Sequence, residues 1–249
     1  MRNRLDRLLL DRGLAPSRER AQALILAGRV LVNEQKVEKP GTQVEESAAL
    51  RVLGEHQRYV SRGGLKLQAA LDHWSIDLRG RGCADIGAST GGFTDCMLQH
   101  GAASVMAVDT GYGQIAEALR RDSRVTLRER SNARYLKPGE LGQGISFVSM
   151  DVSFISATLV LPAVLTAVRG DRMPEGAILE AVVLVKPQFE AGREHVGKGG
   201  IVTDPRAHQL AIDRVRSAMN DLGSEKIDLI NSPIDGAKGN REFLLYGRF

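Results

Sequence analysis

From Gly82 onward, short apolar runs alternate with stretches of helical periodicity. Strands are expected at Gly82–Gly87 (GCADIG), Ser104–Asp109 (SVMAVD), Arg124–Glu129, Ile145–Asp151, Leu179–Lys186, Lys226–Ser232 and Glu242–Phe249. The clearest helical pattern between them is Asp204–Gly223. Apolar strands joined by helices pair in parallel, with helices on both faces. The last strand follows its predecessor after a short turn region and without a helix, so it is expected to insert antiparallel. The expectation is a Rossmann-like, doubly wound α/β sheet of seven strands.

The segment before it follows other rules. Leu5, Leu8 and Leu9 share one face of a short helix that Gly13 stops, and Ser17 is placed to cap a second helix, RERAQALILA, ended by Gly28. RVLVNEQKVEKPG then alternates and turns near Asn33–Gln35 as a hairpin does, and ALRVLG (Ala49–Gly54) is a further short strand. This reads as a small α+β domain over residues 1–58, with GEHQRYVSRGG as the linker into a second domain, 59–249.

Charge separates the two. Residues 1–36 hold eight Arg or Lys against four acids, a difference of +4, which is the whole net charge of the 249-residue chain. A basic head on a neutral body points to an anionic partner, nucleic acid first, with Arg4, Arg18, Arg20 and Arg29 as candidate RNA contacts. Aromatic residues are only 4% of the chain, so binding through shape and phosphates is favoured over stacking on single strands.

Other classes fit poorly. Cys83 and Cys96 belong to no metal or redox motif and read as reduced thiols of a cytoplasmic protein. His56, His73, His100, His195 and His208 lack metal spacing, so no metal is expected. The uncharged stretch Phe154–Val168, part of the longest uncharged run, is too short for a membrane span, contains a proline, and reads as a buried helix. The N-terminus lacks the apolar stretch of a signal peptide, so none is expected. Nothing in the sequence sets an oligomeric state.

CADIGASTGGFTDCML carries the most chemical information. A strand ends at Asp85, a glycine-rich turn runs from Gly87 to Gly92, and a helix begins near Phe93. Gly87, Gly91 and Gly92 allow a tight turn and close approach of a ligand to backbone N–H groups, with Ser89 and Thr90 in the same turn. Asp109 ends the next strand, 24 residues after Asp85, where an acid accepts hydrogen bonds from ribose hydroxyls. The pattern is D-x-G-x-x-x-G-G, not the G-x-G-x-x-G of dinucleotide sites. An acid just before the loop suits a cofactor with an ammonium group better than a pyrophosphate, which points to S-adenosylmethionine. Asn132, after the third strand, is a candidate adenosine contact. GREHVGKGG (Gly192–Gly200) mimics a P-loop but lacks the following Ser or Thr and the helix, and reads as a loop beside the active site.

RYVSRGGLKLQAAL (Arg58–Leu71) poses a separate question. Ser61 is placed as an N-cap, and Lys66 then falls near the start of the helix, where the dipole disfavours a cation.

SRGGLKL, DIGASTGGFTDCML, VDTGYGQ, MDVSFIS, LVKPQFE and GNREFLLY occur in this order along the chain. In these motifs the sequence resembles the TlyA (hemolysin A-like) family, with an FtsJ-type ribose-methyltransferase domain after a small RNA-binding domain named for ribosomal protein S-four. The resemblance implies methyl transfer from S-adenosylmethionine to a ribose 2′-hydroxyl of a cytidine in ribosomal RNA, free or in a ribosomal subunit. It also implies a catalytic tetrad whose members fall on Lys66, Asp151, Lys186 and Glu242. The usual first segment, SRGAHKL, here has Gly64 and Leu65 in place of Ala-His. The chain stops at the last strand as shorter members do, which implies large-subunit RNA.

The chemistry explains why such groups are wanted. In-line transfer from a sulfonium needs an oriented nucleophile and a water-poor site, and a ribose hydroxyl needs a base or an orienting group. Lys186 accepts the proton only as a neutral amine. Burial and Lys66 favour that form, Asp151 and Glu242 oppose it, and the alternative is that Lys186 orients the hydroxyl. Two rivals stand beside this reading. One is a membrane-active cytolysin, as the hemolysin name implies, which no spanning segment supports. The other is a non-catalytic ribosome-assembly factor that binds RNA and survives loss of Lys186.

Overall fold

The computed structural model describes residues 2–53, 58–170, 176 and 178–249. Residues 54–57, which include Gly54 of the expected strand, His56 and the first part of the expected linker, lie outside the described residues. The chain divides into two compact units, Met1–His56 and Gln57–Phe249.

In the first unit β1 (Arg2–Arg4) leads into α1 (Leu5–Asp11), followed by α2 (Arg18–Leu26), β2 (Val30–Val32), β3 (Gln35–Lys36), β4 (Gln43–Glu45) and β5 (Leu50–Val52). Ser17 caps α2 by accepting from the Arg20 N–H, as its sequence position predicts. β2 and β3 form the hairpin, and β5 adds to the other edge of β2. β1 and β4 are additional. They pair antiparallel across about 40 residues of chain, from Arg2↔Glu45 to Arg4↔Gln43. Leu5, Leu9, Ala21, Ile25 and Val30 are fully buried and form this unit's core.

The second unit begins with α3 (Gly63–Trp74) and continues β6 (Gly82–Ile86), α4 (Gly92–Gln99), β7 (Ser104–Val108), α5 (Glu117–Arg120), β8 (Val125–Arg128), β9 (Ile145–Met150), α6 (Leu161–Gly170), β10 (Glu180–Val185), α7 (Pro187–Glu190), α8 (Pro205–Asp221), β11 (Lys226–Asn231) and β12 (Phe243–Arg248). The sheet order is β11-β12-β10-β9-β6-β7-β8. β12 runs antiparallel to both its neighbours, and every other pair is parallel.

Strand alternation explains the two apolar layers. Ala84, Ile86, Val148, Met150, Val183 and Val185 face one core with α6 and α8, while Cys83, Phe147, Val182 and Leu184 face another with α3 and α4. Burial pushes both thiols, Cys83 and Cys96, up to about 12, so they are inert packing residues. Trp74 stacks on Tyr246 with ring centroids 5.2 Å apart and donates to Asp228 at 3.0 Å.

Two local expectations are corrected. Ser61 does not cap α3 with its side chain. Arg62 holds the N-cap position without a side-chain bond, and the Ser61 carbonyl accepts from Gly64 N–H. The run from Phe154 is not one helix: Phe154 is 92% exposed, and α6 starts only at Leu161. Phe154 takes a left-handed conformation (φ 64°) that breaks the helical path.

The topology places the site. Chain order reverses between β6 and β9, and open α/β sheets build their crevice at the carboxyl ends beside such a switch. Because β12 is antiparallel and Val185 pairs with Phe243, the start of β12 comes to the same edge as the end of β10.

Candidate active site

β6 ends in a turn that only glycine fits at Gly87. Its φ is 87°, and a Cβ there would meet the Asp151 carbonyl oxygen at 2.5 Å. The close approach is needed because Asp151 N–H donates to the Ile86 carbonyl at 2.8 Å, tying the ends of β6 and β9 together. Gly91, in a left-handed conformation (φ 94°), is the N-cap of α4.

Two cavities adjoin this turn, and Gly87, Ser89 and Asp151 line both. One, of about 280 Å³, is also lined by Ser61, Arg62, Lys66, Thr90, Gly92, Phe93 and Asp235. The other, of about 390 Å³, is also lined by Asp109, Asn132, Ser153 and Phe154. Asp109 links the turn to the loop after β7: one carboxylate oxygen accepts from Ser89 N–H (2.8 Å), the other from Gly111 N–H (2.6 Å). Asn132 accepts from Arg134 N–H at 3.0 Å and caps a short 3₁₀ turn beside the cavity.

Asp85 is the exception among the expected cofactor contacts. It is 0% exposed, lines neither cavity, and accepts from Thr94 Oγ1 (2.6 Å) and Ser149 Oγ (3.2 Å). Burial raises its carboxyl to about 7, with the nearby Asp151 charge adding to the effect and the Thr94 and Ser149 hydroxyls opposing it. The expectation that Asp85 faces an ammonium is corrected. Strand alternation turns its side chain into the layer beneath the turn, so it supports the turn from below. Gly91 likewise lines neither cavity, and its part is conformational.

The four residues of the expected tetrad come to one sheet edge as two ion pairs. Lys66 and Lys186 are each 8% exposed and Glu242 is 4% exposed. Lys66 Nζ pairs with Glu242 Oε2. Lys186 Nζ lies 2.6 Å from Asp151 Oδ1. This answers the question of Lys66: it is buried, and a carboxylate from the opposite end of the sequence compensates its place in the first turns of α3. Gly64 lets the buried Tyr59 ring pack against the first turn of α3, since a Cβ there would collide with it.

A third cavity of about 390 Å³ joins the two pairs. Lys66, Lys186 and Glu242 line it together with Ser153, Phe154, Gln188, Gly199, Gly200 and Asn240. The GREHVGKGG loop therefore borders the site. Buried Asn240 holds it there, accepting from Val202 N–H (3.0 Å) and donating to the Gly200 carbonyl (2.9 Å). Sequence reading missed Ser153, Gln188 and Asn240. MDVSF, LVKPQ and GNREF, the motifs around them, were the available signal.

In the first unit, Asp6 gathers two of the four candidate RNA-contacting arginines. It is fully buried and accepts from Arg4 Nε and Nη2 and from Arg18 Nε, each at 3.0 Å, and from Gln22 Nε2 at 2.9 Å. The Arg4 guanidinium, with Gln22 and Arg18, holds the Asp6 carboxyl well below the usual carboxylate range. The arginine side chains stay about half exposed, and Arg20 and Arg29 are exposed as well.

Comparison with known proteins agrees with this division. Residues 59–249 match the model of the FtsJ-like methyltransferase family, and residues 3–50 match the S4 domain. The chain is 47% identical over 246 residues to "Putative rRNA methyltransferase YqxC" of Bacillus subtilis (strain 168), covering 98% of this chain and 85% of that one. It is 44% identical over 248 residues to the 16S/23S rRNA (cytidine-2′-O)-methyltransferase TlyA of Mycobacterium tuberculosis (strain ATCC 25618 / H37Rv), covering 99% and 90% of the two chains. A solved structure described as a "putative hemolysin" from Streptococcus thermophilus superposes with a TM-score of 0.71 at 42% identity, covering 99% and 88%. The protein thus belongs to the FtsJ-like methyltransferase family, with an S4 domain before the methyltransferase domain and with TlyA and hemolysin A proteins among its relatives.

Proposed function

We propose that the protein transfers a methyl group from S-adenosylmethionine to the 2′-hydroxyl of a cytidine in ribosomal RNA, with residues 1–58 binding the RNA and 59–249 performing the transfer. The observation that carries this reading is the pair of buried lysine–carboxylate contacts, Lys186 with Asp151 and Lys66 with Glu242, beside the glycine turn.

The cofactor fits the residues present. Gly87 and Ser89 of the turn line both cavities, so a ligand in either lies against the turn. Asp109 and Asn132 would hold the adenosine, and Ser61, Arg62, Thr90 and Asp235 the amino-acid end. Bound there, the cofactor supplies a methyl group on a sulfonium that leaves as a neutral thioether without protonation.

The chain's own residues do the rest. Lys186 orients the hydroxyl, and Asp151 Oδ1, buried and without a directed hydrogen bond, takes its proton as the oxygen–carbon bond forms. Glu242 neutralises Lys66, so the cavity wall carries no net repulsion toward the Lys186 ammonium. The low exposure of Lys66, Lys186 and Glu242 limits water at the two pairs.

Ribose-methylation mapping of rRNA from cells with and without this gene tests the reading. One cytidine is expected to lose its 2′-O-methyl group, and the RNA that contains it tests the large-subunit expectation. An unchanged map would refute the function.

A further inference from the structure

Asp151 and Lys186 are close, yet the direction of the Lys186 ammonium is set elsewhere. Asp151 Oδ1 lies 2.6 Å from Lys186 Nζ but receives no directed hydrogen bond. The directed bond of Lys186 goes to Ser153, whose Oγ accepts from Nζ at 2.7 Å. A Coulomb contact fixes a distance only, whereas a hydrogen bond also fixes an angle.

Ser153 also stands where two cavities meet. It lines the cavity of Asp109 and Asn132, and it lines the cavity of Lys66, Glu242 and Gln188. A methyl donor held in the first and a ribose in the second would meet at this wall.

The loop that carries Ser153 is fixed to the helix that follows Lys186. Glu190 of α7, 4% exposed, accepts from Ser156 Oγ (2.5 Å) and from Ala157 N–H (2.7 Å). Arg214 donates to the Glu190 carbonyl at 2.5 Å. Lys186 and Ser153 are thus held by one rigid connection, two residues beyond Asp151 on one side and four residues before Glu190 on the other.

We propose that Ser153 is a positioning residue for methyl transfer: it aims the Lys186 ammonium at the opening between the two cavities. Asp151 supplies the charge that keeps the ammonium near, and Ser153 supplies its orientation. An ammonium has three N–H donors. With one on Ser153 and the charge compensated by Asp151, a further N–H is available to the incoming ribose hydroxyl. In the step itself the 2′-oxygen bonds to the methyl carbon, the carbon–sulfur electron pair stays on sulfur, and the hydroxyl proton passes to Asp151. Ser153 neither gains nor loses an atom.

This inference rests on the proposed function, and the test separates the two. Purified wild type, Ser153→Ala and Ser153→Thr are compared for cofactor affinity by calorimetry and for kcat and KM on the target rRNA. Ser153 is exposed, so neither change disturbs packing. Ser153→Ala is expected to lower kcat about 10- to 100-fold, the worth of one hydrogen bond to a charged group, at unchanged cofactor affinity and RNA KM. Ser153→Thr keeps the hydroxyl and is expected to recover most of the rate. Wild-type kcat in Ser153→Ala, equal loss in both variants, or loss of cofactor binding in Ser153→Ala would each overturn the positioning role. Absence of transfer by the wild type would refute the proposed function instead.

Discussion

Both units hold arginine or lysine against carboxylates, and they do so in opposite ways. In the first unit the acid is buried and the cations stay half exposed: Asp6 has no accessible surface, while the side chains of Arg4 and Arg18 are 45% and 51% exposed. At the site of the second unit the cations themselves are buried, with Lys66 and Lys186 side chains each 10% exposed. A buried acid that fans out exposed guanidiniums fixes positive charge at the surface, as the proposed RNA binding would use. A buried cation paired with an acid keeps charge away from water, as the proposed action of an oriented ammonium on a single bound group would use. The first arrangement is open to salt screening and the second much less so.

Removing the buried cation at the reacting edge has the largest expected effect. Lys186→Met is expected to lower kcat about 10²- to 10⁴-fold while leaving cofactor affinity unchanged, as read by rapid-quench kinetics and calorimetry. A normal rate would show that the buried pair serves the fold alone. Next comes Glu242→Ala, which strands Lys66 as a buried unpaired charge and is expected to cost about 3–5 kcal/mol in urea unfolding. Changing Lys66 to Met in the same chain is expected to return part of that loss. If it deepens the loss, the pair is not the source of the cost.

Asp85 provides an unpaired comparison. Its carboxyl is raised to about 7, so the native state keeps a proton that the unfolded chain releases near the ordinary value of 3.8. Stability is therefore greatest below that lower value and falls as pH rises toward 7, with a slope approaching ~1.4 kcal/mol per pH unit. Asp85→Asn is expected to flatten this slope in thermal unfolding between pH 4 and 7, and an unaltered slope would assign it to other groups.

Smaller effects are expected in the first unit. Asp6→Asn is expected to destabilise that unit by about 1–3 kcal/mol and to weaken RNA binding, because Arg4 and Arg18 lose their common anchor. Arg4→Ala or Arg18→Ala is expected to weaken binding modestly and to reduce the slope of log affinity against log salt by roughly 0.7–0.9 each, with kcat unchanged. A salt-dependent kcat in these variants would erase the contrast between the units.

The contrast was only partly legible in the sequence. The seven strands were readable because each is a short apolar run between turn residues, and because a strand following another without a helix has to reverse direction. Lys66, Asp151, Lys186 and Glu242 were visible through the family motifs, but their division into two pairs depends on β12 bringing Glu242 beside the end of β10. Asp85 misled because its place before the glycine turn suits a ligand, while the side to which a strand turns one residue depends on register. β1 and β4 were invisible because RNR and QVE carry no clear alternation and their pairing spans some 40 residues. Asp6 as the anchor of Arg4 and Arg18 was hidden for a related reason: helical spacing shows which residues share a face and says nothing of which side chain reaches across to another helix.

The most direct measurement is nucleoside mass spectrometry of rRNA incubated with the purified protein and methyl-labelled S-adenosylmethionine. The account predicts that the label appears in 2′-O-methylcytidine with the wild type and disappears with Lys186→Met. Label on a base, or equal label with both proteins, would contradict it.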